Sequence, residues 1–373
     1  MPVSWVRRLR RWLPAALVLA AAGFAGALFV AGSGVVSVAA SRGHFPFVEG
    51  LLEWAMRRSV QHHAEDLAPP DLDSPDRRSL GAAHFHGGCA FCHGAPTIPI
   101  SPVAQHMLPP PPDLRRAAAE WKPQELFWIV KHGLKYTGMP AWTSQQRDDE
   151  VWTVVAFLRQ LPALDARGYR DLAFGPMVPP PPDGRRVATE GALSDAVASC
   201  ARCHGTGDRG PVSNLVPVIH GQTEAFLTAA LQAYAEGRRE SGIMQPVARA
   251  LSSQELLQVA AYYARLPRPP RQSAEPPATE AALERGRVLA ADGSTSDHIP
   301  ACLTCHGGRG LALYPILLGQ PATYLAGQLR LLRDTTARRT ETAAIMAPIA
   351  RRLSDRQIED VAAYLASLAG RSP

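Results

Sequence analysis

The hydrophobic pattern of the chain begins with one long uncharged segment. Residues 13–40 carry no charged side chain over 28 positions, more than the roughly 20 residues that a membrane-spanning helix needs. Four arginines precede this segment (Arg7, Arg8, Arg10 and Arg11), and basic residues favour the cytoplasmic side of a membrane. We therefore predict an N-terminal membrane anchor over 1–40, with the rest of the chain exported. A cleaved signal peptide is the alternative, because the small residues at 37–40 resemble a cleavage site.

A second apolar pattern follows the anchor directly. Between residues 46 and 65, apolar side chains recur at the spacing of one helical face, at Val48, Leu51, Leu52, Ala55, Met56 and Val60. Two prolines and an aspartate at 69–71 end the pattern. We interpret residues 41–76 as a helical stalk. A docking helix for an integral-membrane partner is the alternative.

Three later segments share the apolar spacing of amphipathic helices. They cover 148–161, 253–266 and 355–368, and each begins near a serine or aspartate that can cap a helix. Alternation of apolar and polar residues typical of strands is not evident along the sequence. The predicted fold class is therefore all-α.

These three helices end three copies of an internal repeat. Val259 and Val361 open near-identical segments, VAAYYARL and VAAYLASL, fifteen residues after Met244 and Met346, and Val154 stands fifteen residues after Met139. The register predicts three homologous units at 77–164, 186–268 and 279–370, called here the first, second and third units. Proline-rich linkers are predicted between them at 165–185 and 269–278.

The cysteines supply the chemistry of each unit. All six lie in Cys-x-x-Cys-His motifs, one near the start of every unit, so none remains for a disulfide. A histidine directly after the second cysteine is typical of c-type haem attachment, in which two thiols bind the porphyrin edge and the imidazole ligates the iron. We predict three covalently bound haem c groups, held by Cys89, Cys92 and His93, by Cys200, Cys203 and His204, and by Cys302, Cys305 and His306.

The second iron ligand decides what such a haem does. A methionine thioether raises the reduction potential and closes the site, which suits electron transfer. The repeat places Met244 and Met346 each 40 residues after the motif histidine, and Met139 keeps the same register to its final helix. We predict these three methionines as iron ligands. His132 and His220 also lie inside units, but neither has a counterpart elsewhere, so we expect them in surface or core roles.

The net charge of the chain argues against a nucleic-acid partner. The formal net charge is +6, and the four arginines before the anchor account for most of it. The remaining excess gives no basic footprint for nucleic acid.

The motifs resemble class I cytochromes c throughout 77–370. The second and third units are similar to tandem di-haem cytochromes of the c-four type, through GQTEAFLTAALQAY from Gly221, GQPATYLAGQLRLL from Gly319 and LALYPILLGQ at 311–320. The resemblance implies three tandem all-α cytochrome c domains, with the carbonyls of Pro217 and Pro315 supporting the histidine ligands. The first unit lacks the Gly-Gln pair, and its LFWIVKHGLKYTGMPAW segment resembles haem c domains in cytochrome subunits of membrane oxidases and dehydrogenases.

This resemblance implies an electron carrier and not an enzyme. We expect a single-pass protein of the bacterial inner membrane with its haem domains in the periplasm, where c-type haem is attached. It would carry electrons from a quinol-oxidising or other cytochrome-reducing donor to a terminal oxidase. The alternative is a cytochrome subunit of a membrane-bound periplasmic dehydrogenase or oxidase complex. A haem peroxidase is disfavoured, because a methionine on each iron leaves no open site.

Overall fold

The computed structural model describes residues 4–39, 42–43, 45–96, 98–175, 196–207, 209–270, 275, 277–307 and 311–369. Over these ranges the regular secondary structure is helical, and strand-like pairing is limited to three isolated bridges. The predicted all-α class is confirmed. Residues 176–185 of the first predicted linker, 186–195 at the predicted start of the second unit, and 271–274 and 276 of the second linker lie outside the described residues.

The chain begins with one long apolar helix, α1 (Ser4–Ser33). Its segment Trp12–Ser33 has 22 residues, a mean hydropathy of 2.2 and no buried part. It is long and apolar enough to cross a bilayer, and a signal sequence shares these properties. An exposed apolar N-terminal helix is thus present, as both interpretations of the sequence require.

The stalk segment and the first unit form a continuous helical body. Its helices are α2 (Pro46–Ala64), α3 (Pro75–Gly88), α4 (Ala90–His93), α5 (Pro102–Gln105), α6 (Leu114–Ala117), α7 (Pro123–His132), α8 (Asp148–Gln160) and α9 (Ala166–Phe174). The C-terminal half of α2 packs on α7 and buries Val60 and Ala64, and Arg57 pairs with Glu120 at 2.9 Å. The predicted stalk helix therefore rests partly on the first unit.

Helices α3 and α8 cross at close range in the core of the first unit. A Cβ atom on Gly81 would lie 2.0 Å from the carbonyl oxygen of Thr153, so only glycine allows this approach. Beside the crossing, the rings of Phe85 and Phe157 pack with centroids 5.0 Å apart, and both are fully buried. This contact joins the start of the unit to its final predicted helix.

The first predicted linker begins later than the sequence suggested. Residues 166–174 form α9, which packs against α3 and buries Tyr169 and Ala173, four residues apart on one face. Asp165 caps this helix by accepting a hydrogen bond from the Gly168 amide at 2.7 Å. The first unit therefore extends to Phe174, because a short amphipathic helix precedes the prolines.

From the Cys-x-x-Cys-His motif onward, the described parts of the second and third units follow the same order of helices. The second contains α10 (Ala196–His204), α11 (Glu224–Ala235), α12 (Met244–Ala250) and α13 (Ser253–Arg265), and the third contains α14 (Glu280–Asp292), α15 (Leu303–His306), α16 (Ala322–Asp334), α17 (Glu341–Ala350) and α18 (Asp355–Ser367). The final helix of each unit agrees with its predicted range to within one residue. Capping boxes at Ser252 and Ser354 begin α13 and α18.

A second glycine crossing, between α14 and α18, supports a stability prediction. A Cβ on Gly286 would lie 2.1 Å from the Asp360 carbonyl oxygen, so Gly286→Ala should destabilise the third unit by about 1–3 kcal/mol through overpacking. Gly327 in α16 has no atom within 4 Å of such a Cβ, so Gly327→Ala should be neutral or slightly stabilising. Urea unfolding of the two variants measures the difference, and equal midpoints would contradict the close crossing.

Candidate haem sites

The three motif histidines share one hydrogen bond. In each, Nδ1 donates to a proline carbonyl oxygen, at 2.9 Å from His93 to Pro112, 3.1 Å from His204 to Pro217, and 2.8 Å from His306 to Pro315. A carbonyl can only accept, so the proton stands on Nδ1 and the Nε2 lone pair is left for a metal. This is the arrangement of an oriented imidazole ligand.

Two of these prolines were expected and one was not. The contacts of Pro217 and Pro315 are confirmed. The first unit uses Pro112, which lies 19 residues after His93. The sequence did not single it out, because the Gly-Gln pair that marks the equivalent loop in the other units is missing and four consecutive prolines occupy 109–112.

The motifs lie on single helical turns. The amides of His93 and His306 donate to the carbonyls of Cys89 and Cys302, each at 3.0 Å. Cysteines three apart on such a turn lie on the same side, where both can bond to one porphyrin edge. All six cysteines are within the described residues, and no disulfide joins any two of them.

Burial keeps the three histidines neutral. It lowers the pKa of His204 to about 4, and it lowers the pKa of His93 and His306 as well. A neutral imidazole is the form that ligates iron. The Nε2 atom of His306 is buried without a hydrogen-bond partner among the described residues, which is the condition expected of an atom that binds a metal.

One cavity joins the second and third units. Its volume is about 1250 Å³, larger than the roughly 300–1,000 Å³ of a typical single small-molecule site. It is lined by the motif residues of both units and by both predicted methionines, namely Cys200, Cys203, His204, Met244, Cys302, Cys305, His306 and Met346. The structure thus brings a histidine and a methionine of each unit to the walls of a common cavity, and this donor set fits haem c.

The first unit is arranged differently. His93 and Met139 do not line the shared cavity. Met139 is half-buried in the loop between α7 and α8, where its amide donates to the Thr137 hydroxyl at 3.0 Å. The sulfur of Met107 lies against the neighbouring Gly138, 2.8 Å from the point that a Cβ would occupy. A second thioether therefore stands beside the loop of the predicted ligand.

His132 and His220, the two non-motif histidines weighed above, occupy the roles predicted for them. His132 is exposed beside Trp128, with ring centroids 5.1 Å apart. His220 is fully buried and packs edge-on against Tyr263 at 5.4 Å. Neither lines the shared cavity.

Two buried glutamines link the second and third units symmetrically. The side-chain amide of Gln222 donates to the carbonyl of Ile316 and accepts from its amide, both at 2.8 Å. Gln320 does the same with Val218, at 2.7 and 2.9 Å. Val218 and Ile316 directly follow the prolines that hold the histidines. Each unit therefore supports, in the other unit, the loop whose proline carbonyl holds the motif histidine.

One carboxylate of the first unit holds the loop that leads to Met244 in the second unit. Glu150 is buried in α8, where it pairs with Arg147 at 2.8 Å. It accepts hydrogen bonds from the Ser241 hydroxyl at 2.5 Å and the Gly242 amide at 2.6 Å. Ser241 in turn accepts from the Met244 amide at 2.9 Å. The position of Met244 thus depends on a residue of another unit.

Helix α3 also contacts the second unit through Asp76. The side-chain carboxylate of Asp76 accepts a hydrogen bond from the Asn214 main-chain amide at 2.7 Å. The main-chain carbonyl of Asp76 accepts one from the Ser213 hydroxyl at 2.9 Å. These residues open the loop that leads to Pro217. The first unit therefore fixes both loops that bear on the second site.

Comparisons with known proteins show similarity to c-type cytochromes. Residues 77–158 match the family model described as cytochrome c oxidase, cbb3-type, subunit III, and residues 283–369 match the cytochrome c model. The chain is 36% identical over 189 residues to the thiosulfate dehydrogenase electron acceptor of Stutzerimonas stutzeri, covering 50% of this chain and 86% of that protein. It is 31% identical over 187 residues to cytochrome c4 of Pseudomonas aeruginosa, covering 49% of this chain and 90% of that protein.

A shorter relative is more similar still. Cytochrome c-554(548) of Halomonas halodenitrificans is 49% identical over 74 residues, covering 19% of this chain and 88% of that protein. These relatives are electron carriers or electron acceptors rather than enzymes. The chain therefore belongs to the cytochrome c family, binds haem c and transfers electrons.

Proposed function

We propose that the chain carries three haem c groups, one in each unit, and passes single electrons along them in a bacterial respiratory chain. The observation that carries the proposal is the repeated histidine, whose Nδ1 donates to a proline carbonyl in all three units. The attachment residues are those of the three Cys-x-x-Cys-His motifs. The second ligands are Met139, Met244 and Met346.

The residues of the chain have separable tasks in this function. When bound, each haem supplies an iron that alternates between ferric and ferrous states. The cysteines would tether it, the proline carbonyl would orient the imidazole ligand, and the methionine would keep water and oxygen from the iron. Burial in the mainly apolar cavity favours the less charged ferrous form and so raises the reduction potential.

The proposed location is the periplasmic face of the bacterial inner membrane, with α1 as a single-pass anchor. The apolar segment Trp12–Ser33 supports this placement, and so do the four arginines before it. The anchor would keep the haem domains close to membrane-bound donors and to a terminal oxidase. It would also confine electron transfer to partners on the same membrane surface.

The ligand of the first haem can be tested against a matched neighbour. We expect Met139→Leu to open that haem, so that the reduced protein binds carbon monoxide at one haem per chain. Met107→Leu removes the adjacent thioether and should leave carbon monoxide binding absent, as in the wild type. Rapid-mixing absorbance of the reduced proteins measures both. If the Met107→Leu variant bound carbon monoxide and the Met139→Leu variant did not, the iron ligand of the first unit would be Met107.

A second candidate function is that of an electron-accepting subunit in a periplasmic dehydrogenase complex. It is favoured by two relatives whose names are thiosulfate dehydrogenase electron acceptor, from Stutzerimonas stutzeri and from Thiomonas intermedia, the latter 33% identical over 183 residues. Mild solubilisation of the membrane distinguishes the candidates. A stoichiometric dehydrogenase in the purified complex would favour the subunit, and an isolated cytochrome would favour the carrier.

A further inference from the structure

Two short arginine segments meet between the second and third units. Arg239 and Arg338 pair as an isolated antiparallel bridge. On either side, the Glu240 amide donates to the Ala337 carbonyl at 2.7 Å, and the Arg339 amide donates to the Arg238 carbonyl at 2.6 Å. Residues directly opposite in such a pair have Cβ atoms about 4.5–5.5 Å apart, so the two arginine side chains start side by side.

The other arginines around this bridge have carboxylate partners. Arg339 pairs with Glu240 at 2.5 Å, Arg238 with Glu236 at 2.5 Å, and Arg147 with Glu150 at 2.8 Å. Within the described part of the chain, Arg239 and Arg338 have none, and the Nε atom of each is buried without a hydrogen-bond partner. Two neighbouring guanidinium groups are thus left without a counterion.

This arrangement is unfavourable unless an anion completes it. Burial lowers the pKa of Arg338 to about 10, and the charge of Arg239 adds to that effect. The Arg239 guanidinium lies 4.6 Å from the centroid of the Tyr234 ring, a contact that orients the group without neutralising it. Both arginines are half-buried on the cavity wall, and a charge partly withdrawn from water without a partner is unfavourable, so an acidic ligand is expected here.

The position of the pair identifies that ligand. Both arginines line the cavity that holds the motif residues of the second and third units. Of the four acidic residues on the same walls, Glu150 and Asp149 pair with Arg147 and Asp334 pairs with Arg333, while Glu341 forms no ion pair within the described residues. The family's cofactor brings its own carboxylates into this cavity, because each haem carries two propionates.

We propose that Arg239 and Arg338 form a shared binding site for the propionate carboxylates of the second and third haems, with one arginine supplied by each unit. The proposal rests on the haem occupancy proposed above. Arginine suits the task, since its planar guanidinium binds carboxylates through two parallel hydrogen bonds. The bridge between Arg239 and Arg338 then ties the carboxylates of both cofactors to one point of the interface.

The pair should also act on the haem irons. A fixed positive charge near a haem favours the ferrous form, which carries one positive charge fewer than the ferric form. Because the two arginines stand together, each influences both haems. The site would thereby keep the two potentials high together, as rapid transfer between them requires.

Redox titration of the full-length holoprotein tests the proposal. We expect Arg239→Gln and Arg338→Gln each to lower the equilibrium constant for reduction of two of the three haems about tenfold, which is about 59 mV for one electron. The first haem, whose His93 lies outside the cavity, should not change. Arg265→Gln is the control, since it removes the same charge from an exposed position of the second unit and should shift no potential.

Unchanged potentials in both glutamine variants, with three haems bound, would overturn the shared site and leave the proposed function standing. Fewer than three haems in the wild-type protein would instead contradict the proposed function. If the glutamine variants fail to mature, Arg239→Lys and Arg338→Lys retain the charge. If the lysine variants bind three haems and keep reduction potentials near those of the wild type, the shared site is supported. If neither lysine variant binds three haems, a role based on charge is overturned.

Discussion

Replacing Glu150 with alanine is expected to lower the free energy of unfolding of the chain by about 3–5 kcal/mol, the usual cost of breaking a buried ion pair from one side. The change leaves the buried Arg147 with only Asp149 as its acidic partner. It also removes the acceptor of the Ser241 hydroxyl and the Gly242 amide. Urea unfolding followed by haem absorbance measures the loss.

Asp149→Ala is the matched control for Glu150→Ala. Asp149 pairs with the same arginine at 2.8 Å, but its side chain is 60% exposed, so its removal should cost less than about 1 kcal/mol. The Glu150 variant should also loosen Met244, and the reduced variant should then bind carbon monoxide at the second haem. Equal small losses in both variants would show that the buried carboxylate does not hold the methionine loop.

The second large effect is expected at the glutamine pair. Gln320→Ala leaves the amide and carbonyl of the half-buried Val218 without their partners, and Gln222→Ala does the same to the half-buried Ile316. Each unsatisfied group costs about 1–3 kcal/mol, so we expect a loss of about 2–4 kcal/mol in the free energy of unfolding for either variant. Urea unfolding measures this loss.

The glutamine pair should also act across the interface. The peptide group between Pro217 and Val218 accepts from His204 and donates to Gln320, and hydrogen bonds in such a chain strengthen one another. Gln320→Ala, a change in the third unit, should therefore weaken the support of His204 in the second and raise the potential of that haem. Gln258→Ala, at an exposed position of α13 that does not line the shared cavity, is the control. A shift confined to the mutated unit would contradict this coupling.

The sequence predicted those parts of the molecule that follow from local spacing. The final helix of each unit was located to within one residue, because its apolar positions repeat at helical spacing and a serine or aspartate stands near its start. Met244 and Met346 could be selected by their common distance from the motif histidine, and both line the cavity.

Other features depend on how the units dock, and single positions in a sequence do not reveal docking. Glu150 and Ser241 are 91 residues apart, and a lone glutamate in an amphipathic helix has the pattern of a solvent-exposed residue. The Gly-Gln pairs were visible as a family feature, but nothing local indicates that each glutamine contacts the other unit. Helix α9 was missed because its nine residues adjoin a proline-rich run.

The most direct test of three haems, one per unit, is the ratio of covalent haem to polypeptide in the purified full-length chain. We predict three haems per chain, since each of the three motif histidines is oriented by a proline carbonyl for metal ligation. A ratio of two, as in a di-haem cytochrome c4, would contradict the account. It would mean that one of the three motifs, despite its oriented histidine, does not hold a haem.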